Sequence, residues 1–92
     1  MPANKARQAI LDYLSKQSEP RCAADIGLAC YPADAGRKLY DEISGADRLY
    51  RAYFGKYWRH KMHEWAGGHL IALLADGKVR WLPDLRWEIK NG

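Results

Sequence analysis

Apolar residues recur at helical spacing in the first part of the chain. Ala6, Ala9, Ile10, Tyr13 and Leu14 fall on one side, with Lys5, Arg7, Gln8 and Asp12 opposite and Asn4 placed as a cap. The spacing predicts a helix from Asn4 to about Lys16 or Gln17, broken at Ser18-Glu19-Pro20 because a proline disfavours helical geometry at the residue before it. A second, short helix fits Arg21 to Ala29. In it Cys22, Ile26 and Ala29 share a side with Cys30 beside them, and Ala23, Ala24 and Gly27 are small enough for a close helix crossing. Tyr31-Pro32 ends it. Asp34 is placed to cap a third helix, Ala35 to Ser44, with an apolar stripe of Ala35, Leu39, Tyr40 and Ile43 and an outer side of Arg37, Lys38, Asp41 and Glu42. Ser44-Gly45-Ala46-Asp47 follows as a loop.

The pattern changes at Arg48. Tyr50, Tyr53, Phe54, Tyr57 and Trp58 crowd into RLYRAYFGKYWRHKMH, residues 48 to 63, a density of aromatics that favours a pleated strand, and Gly55 weakens a helix there. The preferred reading is a β-hairpin turning at Gly55-Lys56, with Phe54 opposite Tyr57, Tyr53 opposite Trp58, Arg51 opposite His60 and Leu49 opposite Met62. Alternation then gathers Leu49, Tyr53, Trp58 and Met62 on a packing face with Arg51 and His60. Arg48, Tyr50, Phe54, Tyr57, Arg59, Lys61 and His63 form the other face, and Lys56 sits at the tip. A helix is the alternative, because at 100° per residue Leu49, Tyr50, Tyr53, Phe54 and Tyr57 fall opposite Arg48, Arg59 and His63.

Beyond Glu64, Leu70, Ile71, Leu73 and Leu74 lack strict alternation and predict a buried helix from about Ala66 to Ala75, ended by Asp76-Gly77 with Gly as its C-cap. A strand leading into an Asp-Gly turn is the alternative. Lys78 to Leu82 and Leu85 to Lys90 do alternate and predict a second hairpin. A three-residue loop, Pro83-Asp84-Leu85, sets Trp81 against Trp87, Arg80 against Glu88 and Val79 against Ile89, so that like meets like.

Ninety-two residues make one domain. Its charge is unevenly placed: residues 1 to 47 carry 6 bases and 7 acids, residues 64 to 92 carry 4 of each, and residues 48 to 63 carry 5 bases and no acid. All of the net +4 therefore sits in one stretch, a pattern that points to nucleic acid or to an acidic protein surface. The longest apolar segment, Leu70 to Ala75, is far short of the roughly 20 residues that span a bilayer, so no membrane is expected and a cytoplasmic location is.

The order of helix, short Ala-rich helix, turn, helix and hairpin resembles the winged helix-turn-helix superfamily over about residues 4 to 63. CAADIG is similar to its second helix, PADAGRKLYDEI to its recognition helix, and GADRLYRAYFGKYWRH to the strands and tip of its wing. The resemblance implies an α+β fold of three helices plus a β-hairpin wing; residues 64 to 92 lie outside it, as a C-terminal helix and hairpin extension. It also implies a small regulator of transcription. Arg37 and Lys38 would approach the major groove of duplex DNA, and the wing would reach the flanking backbone or minor groove. Arg48, Lys56, Arg59 and Lys61 would hold phosphates, with Tyr50, Phe54, Tyr57 and His63 on the same surface. Asp41 and Glu42 on the recognition helix instead favour a phage-type or plasmid-type inhibitor or assembly factor that seats its basic face on an acidic protein. Single-stranded nucleic acid, with Tyr50, Phe54 and Tyr57 stacking bases, is the third reading. Residues 64 to 92 either complete the core or make a homodimer contact.

Other chemistry is thinly supported. Cys22, Cys30, His60, His63 and His69 are potential zinc ligands, but Cys-x7-Cys and His-x2-His lack the short closed spacing of a zinc finger, so no metal or other cofactor is expected. No Gly-rich phosphate loop and no recognisable nucleophile setting occurs, and an enzyme is not expected. The two cysteines read as buried thiols rather than a disulfide, and the four tryptophans as core.

Overall fold

Helix α1 spans Ala3–Ser15 and turns Ala6, Ile10 and Leu14 inward, an i, i+4, i+8 stripe that buries all three. The computed structural model describes residues 3–32 and 48–90, the side chains of 48–58 excepted. Asn4 lies inside the first turn of α1 rather than capping it. Strand β1, Arg21–Cys22, leads directly into helix α2, Ala23–Cys30, which buries Ala23, Ala24, Ile26, Gly27 and Cys30. The expected second helix thus begins two residues later than its sequence suggests, because Arg21 and Cys22 are drawn into a sheet. The helix expected from Ala35 to Ser44, its Asp34 cap and the loop to Asp47 lie outside the described residues.

Residues 48 to 63 are not a hairpin. Helix α3 runs without interruption over Arg48–Ala75, 28 residues, and takes in both the basic stretch and the helix expected at 66 to 75. The physical reason lies in its second half. Met62, Ala66, Leu70 and Leu73 are buried on one stripe, and once that stripe docks on α1 and α2 the helix propagates cooperatively toward its N-terminus. No proline stands between Pro32 and Pro83 to stop it. Gly55 costs only about 1 kcal/mol in a helix interior, and strand propensity counts only where a partner strand is present. The cross-strand pairs expected around Gly55-Lys56, and with them a wing in this stretch, are therefore corrected to successive positions of one helix.

The C-terminal end of α3 follows its sequence signal. The Gly77 N–H bonds the Leu74 carbonyl at 3.0 Å and the Lys78 N–H bonds the Leu73 carbonyl at 2.9 Å, with Gly77 at φ 73. This is the Schellman arrangement, and the positive φ is one that glycine adopts without penalty. Strands β2, Val79–Trp81, and β3, Arg86–Ile89, then pair in the expected register: Val79 with Ile89, Arg80 with Glu88 and Trp81 with Trp87. Leu82 N–H to Arg86 O and Leu85 N–H to Leu82 O, both 2.9 Å, close the three-residue loop.

The return strand β3 also pairs with β1, setting Arg21 against Trp87 and Cys22 against Arg86, so the antiparallel sheet has the order β1-β3-β2. The described residues thus form an α+β fold of three helices and a three-stranded sheet. One core joins the layers: Ile10, Leu14, Ala23, Ile26, Cys30, Ala66, Leu70, Leu73, Val79 and Trp87. Val79 and Trp87 place the C-terminal hairpin inside it. Intramolecular packing therefore accounts for these apolar residues of the C-terminal segment.

Gly68 lies on the exposed side of α3, and a Cβ there meets nothing within 4 Å. Gly68→Ala should therefore stabilise the fold by up to about 1 kcal/mol through helix propensity. Urea denaturation checks this, and a loss of stability would mean that the site is packed.

Candidate nucleic-acid interface

Buried Met62 and Ala66 fix the rotation of α3 about its axis and turn Arg59, His60, Lys61, His63 and Glu64 outward, all five exposed. Three of the sequence-predicted site residues, Arg59, Lys61 and His63, are exposed on this segment, but at about 100° per residue Lys61 stands on the side of the helix away from Arg59 and His63, so the single face expected from strand alternation is divided. Arg48, Tyr50, Phe54, Lys56 and Tyr57 belong to the same helix, but their side chains lie outside the description. Arg37 and Lys38 lie outside it altogether.

Carboxylates already engage this segment. Arg59 Nη2 donates to Asp25 Oδ1 at 3.3 Å and approaches the Cys22 sulfur at 3.8 Å. Glu64 lies 3.0 Å from His60 Nε2 and 3.7 Å from Lys61 Nζ, at i+4 and i+3 spacing. Sequence reasoning missed both acids. Glu64 was within reach of it, since a helix over this stretch puts Glu64 one turn after His60 and Lys61. Asp25 was not, because its approach depends on how α2 crosses α3. Such exposed pairs contribute little to stability, on the order of 0 to 1 kcal/mol each, and are readily exchanged for a stronger anion.

The hairpin carries a second set of pairs. Arg80 Nη1 lies 3.8 Å from Glu88 Oε1, and Asp84 accepts from both the backbone N–H and the Nε of Arg86. Those hydrogen bonds from Arg86 hold the Asp84 carboxyl below the usual carboxylate range. Trp81 stacks on Trp87 with ring centroids 5.6 Å apart and planes 12° apart. Their exposures differ: Trp87 is 5% exposed and belongs to the core, whereas Trp81 is 55% exposed.

A third cluster lies where α3 passes the end of α2. Trp65 meets Tyr31 edge to face at 5.3 Å and His69 edge to face at 5.0 Å. Burial, and then the charge of Arg7, push the His69 pKa down, so the neutral ring is favoured there. Trp65 packs against the core, so of the three described tryptophans Trp81 departs from a core role.

Cys30 is buried, with its Sγ 3.7 Å from the Ala9 carbonyl, and burial pushes its pKa up to about 11. It is an inert thiol at neutral pH. Cys22 is half-buried, and both cysteines are free. Among the described residues no group of three or more His, Cys, Asp or Glu could hold a metal ion, and no helix is long and apolar enough to cross a membrane.

No protein-family model, no curated protein and no solved structure matches this chain.

Proposed function

We propose that this chain is a small DNA-binding regulator of winged-helix type, in which the long basic helix α3 faces the duplex and the β2-β3 hairpin, rather than residues 48 to 63, serves as the wing. The observation that carries this reading is the β2-β3 hairpin directly after α3, tied back to β1 in the sheet order β1-β3-β2. This arrangement anchors the hairpin on the helical layer through Val79 and Trp87 and sets it three residues from the end of the helix that bears the net charge. Arg59, Lys61 and His63 supply phosphate contacts, joined by Arg48 and Lys56 from the same helix and by Arg37 or Lys38. Tyr50, Phe54 and Tyr57 lie in the same basic stretch.

The engagement of Arg59 by Asp25 and of Lys61 by Glu64 supports a second reading, in which acidic side chains of a partner protein replace these carboxylates. Salt dependence separates the two. If Arg48, Lys56, Arg59, Lys61 and one of Arg37 or Lys38 each neutralise a phosphate, log affinity for duplex DNA falls with log salt at a slope of about −4.5. Glu64→Gln removes the carboxylate that competes for Lys61 and His60. Its affinity for duplex should rise several-fold at low salt with the slope unchanged, because Lys61 is already one of the five contacts. Absence of duplex binding by the parent chain, or an unchanged affinity in Glu64→Gln, counts against the reading and favours the acidic-protein partner.

A further inference from the structure

The tip of the hairpin is built against the interest of the fold. Leu85 occupies the left-handed region at φ 67 and is the one non-glycine residue with positive φ among the described residues. In a three-residue hairpin loop this position favours glycine, because a Cβ crowds the following carbonyl there. The Leu85 side chain recovers little by burial, since it is 64% exposed. Pro83 beside it is also exposed, and Trp81 presents its outer side one step down the stem.

The stem beneath this apolar tip is rigid and cationic. Trp87 locks β3 into the core, and β3 is held by a neighbour on each side. Residues 78 to 90 carry a net +2: Arg80 pairs with Glu88 and Arg86 with Asp84, which leaves the excess on Lys78 and Lys90 at the base of the stem. Asp84, the one carboxylate at the tip, is held by Arg86 through two hydrogen bonds. An apolar point on a stem of net positive charge complements one kind of polyanion in particular. A duplex offers phosphates on both rims of its minor groove and apolar base faces between them. Apolar side chains pushed between base steps from that groove unstack the step and kink the duplex toward the major groove.

We propose that the Pro83-Asp84-Leu85 tip is a wedge that drives Leu85 into a base step from the minor groove and bends the duplex. This rests on the duplex-binding reading of the chain. The preferred steps are TA and CA/TG, which unstack most readily. A tip made for this use keeps a leucine where glycine suits the hairpin better, and the strain is borne by the free protein.

The experiment uses the full chain and short duplexes carrying one TA step with 2-aminopurine beside it and a fluorophore pair at the ends. The parent is expected to raise 2-aminopurine emission several-fold and to shorten the end-to-end distance. Leu85→Gly should melt at a higher temperature than the parent and still bind, without either optical change and with affinity for the TA duplex reduced about tenfold. Leu85→Asn, which also accepts the left-handed region, should behave alike and stands in if the glycine variant folds poorly. Duplex binding by the parent with neither unstacking nor bending overturns the wedge and leaves the DNA-binding reading intact. Equal bending by parent and Leu85→Gly overturns it as well, and assigns the apolar tip to a protein contact. Failure of the parent to bind any duplex overturns both.

Discussion

Gly27→Ala is expected to destabilise the fold by about 3 kcal/mol, a large share of the roughly 5 to 15 kcal/mol that holds a domain of this size together. A Cβ built on Gly27 lies 2.3 Å from the Met62 carbonyl oxygen, 2.8 Å from its carbon and 2.9 Å from the Met62 Cβ. The first two atoms are backbone. A flexible side chain could swing aside; a helix carbonyl can yield only if α2 and α3 separate. Met62 is fully buried and Ile26, next to Gly27, is too, so separation opens voids along the line where α2 and α3 pack. The effect reaches the proposed interface, because Asp25 and Arg59 meet beside the same crossing and lose their 3.3 Å contact when the helices part. Denaturant titration of Gly27→Ala beside Gly68→Ala makes the comparison internal. Both exchange a helical glycine for alanine, one at a crossing and one in open space, and the expected changes have opposite sign. A Gly27→Ala midpoint equal to the parent's would mean that the crossing is looser than 2.3 Å implies.

That crossing also marks how far the sequence could be read. Small residues at 23, 24 and 27 signalled a close helix approach, but nothing local named Met62 as the opposing surface. Signals confined to one element were legible. Asp76-Gly77 announced the end of α3, and pairing like with like gave the hairpin register from Val79 to Ile89. The aromatics of the basic stretch favour a strand only when the stretch is taken in isolation. The deciding information lay downstream, in the stripe Met62, Ala66, Leu70 and Leu73, whose docking fixes the helix that the stretch extends. Strand β1 is two residues long and exists only because β3 pairs with it, so no periodicity could reveal it. Of the candidate site, Arg59, Lys61 and His63 are exposed, but the shared face expected from strand alternation is not formed, because a helix sets Lys61 away from the other two. The engagement by Asp25 is a tertiary contact and has no sequence signature.

Trp87→Ala is expected to cost about 3 to 5 kcal/mol, the range for deleting a large aromatic from a core, while Trp81→Ala costs about 1 kcal/mol. The two rings stack on each other as a cross-strand pair, so a reading from the pair alone would assign them similar weight. Burial separates them. Trp87 is 5% exposed, lies in the core with Val79 and Leu73, and sits on the strand that holds both β1 and β2. Its loss leaves a cavity where the sheet meets the helices and weakens β1 through the Arg21-Trp87 pairing. Trp81 is 55% exposed and gives up chiefly its stacking partner. Chemical denaturation followed by far-ultraviolet circular dichroism should therefore place the Trp87→Ala midpoint far below that of Trp81→Ala. Similar midpoints would contradict the assignment of the hairpin to the core. The same contrast makes Trp81→Ala the useful probe of the tip, because the hairpin stays folded while the apolar surface beside Leu85 is cut back. Reduced binding to duplex DNA in that variant, at nearly parental stability, is the expected result if the β2-β3 hairpin is the wing. Unchanged binding would move the contact off the hairpin and onto α3.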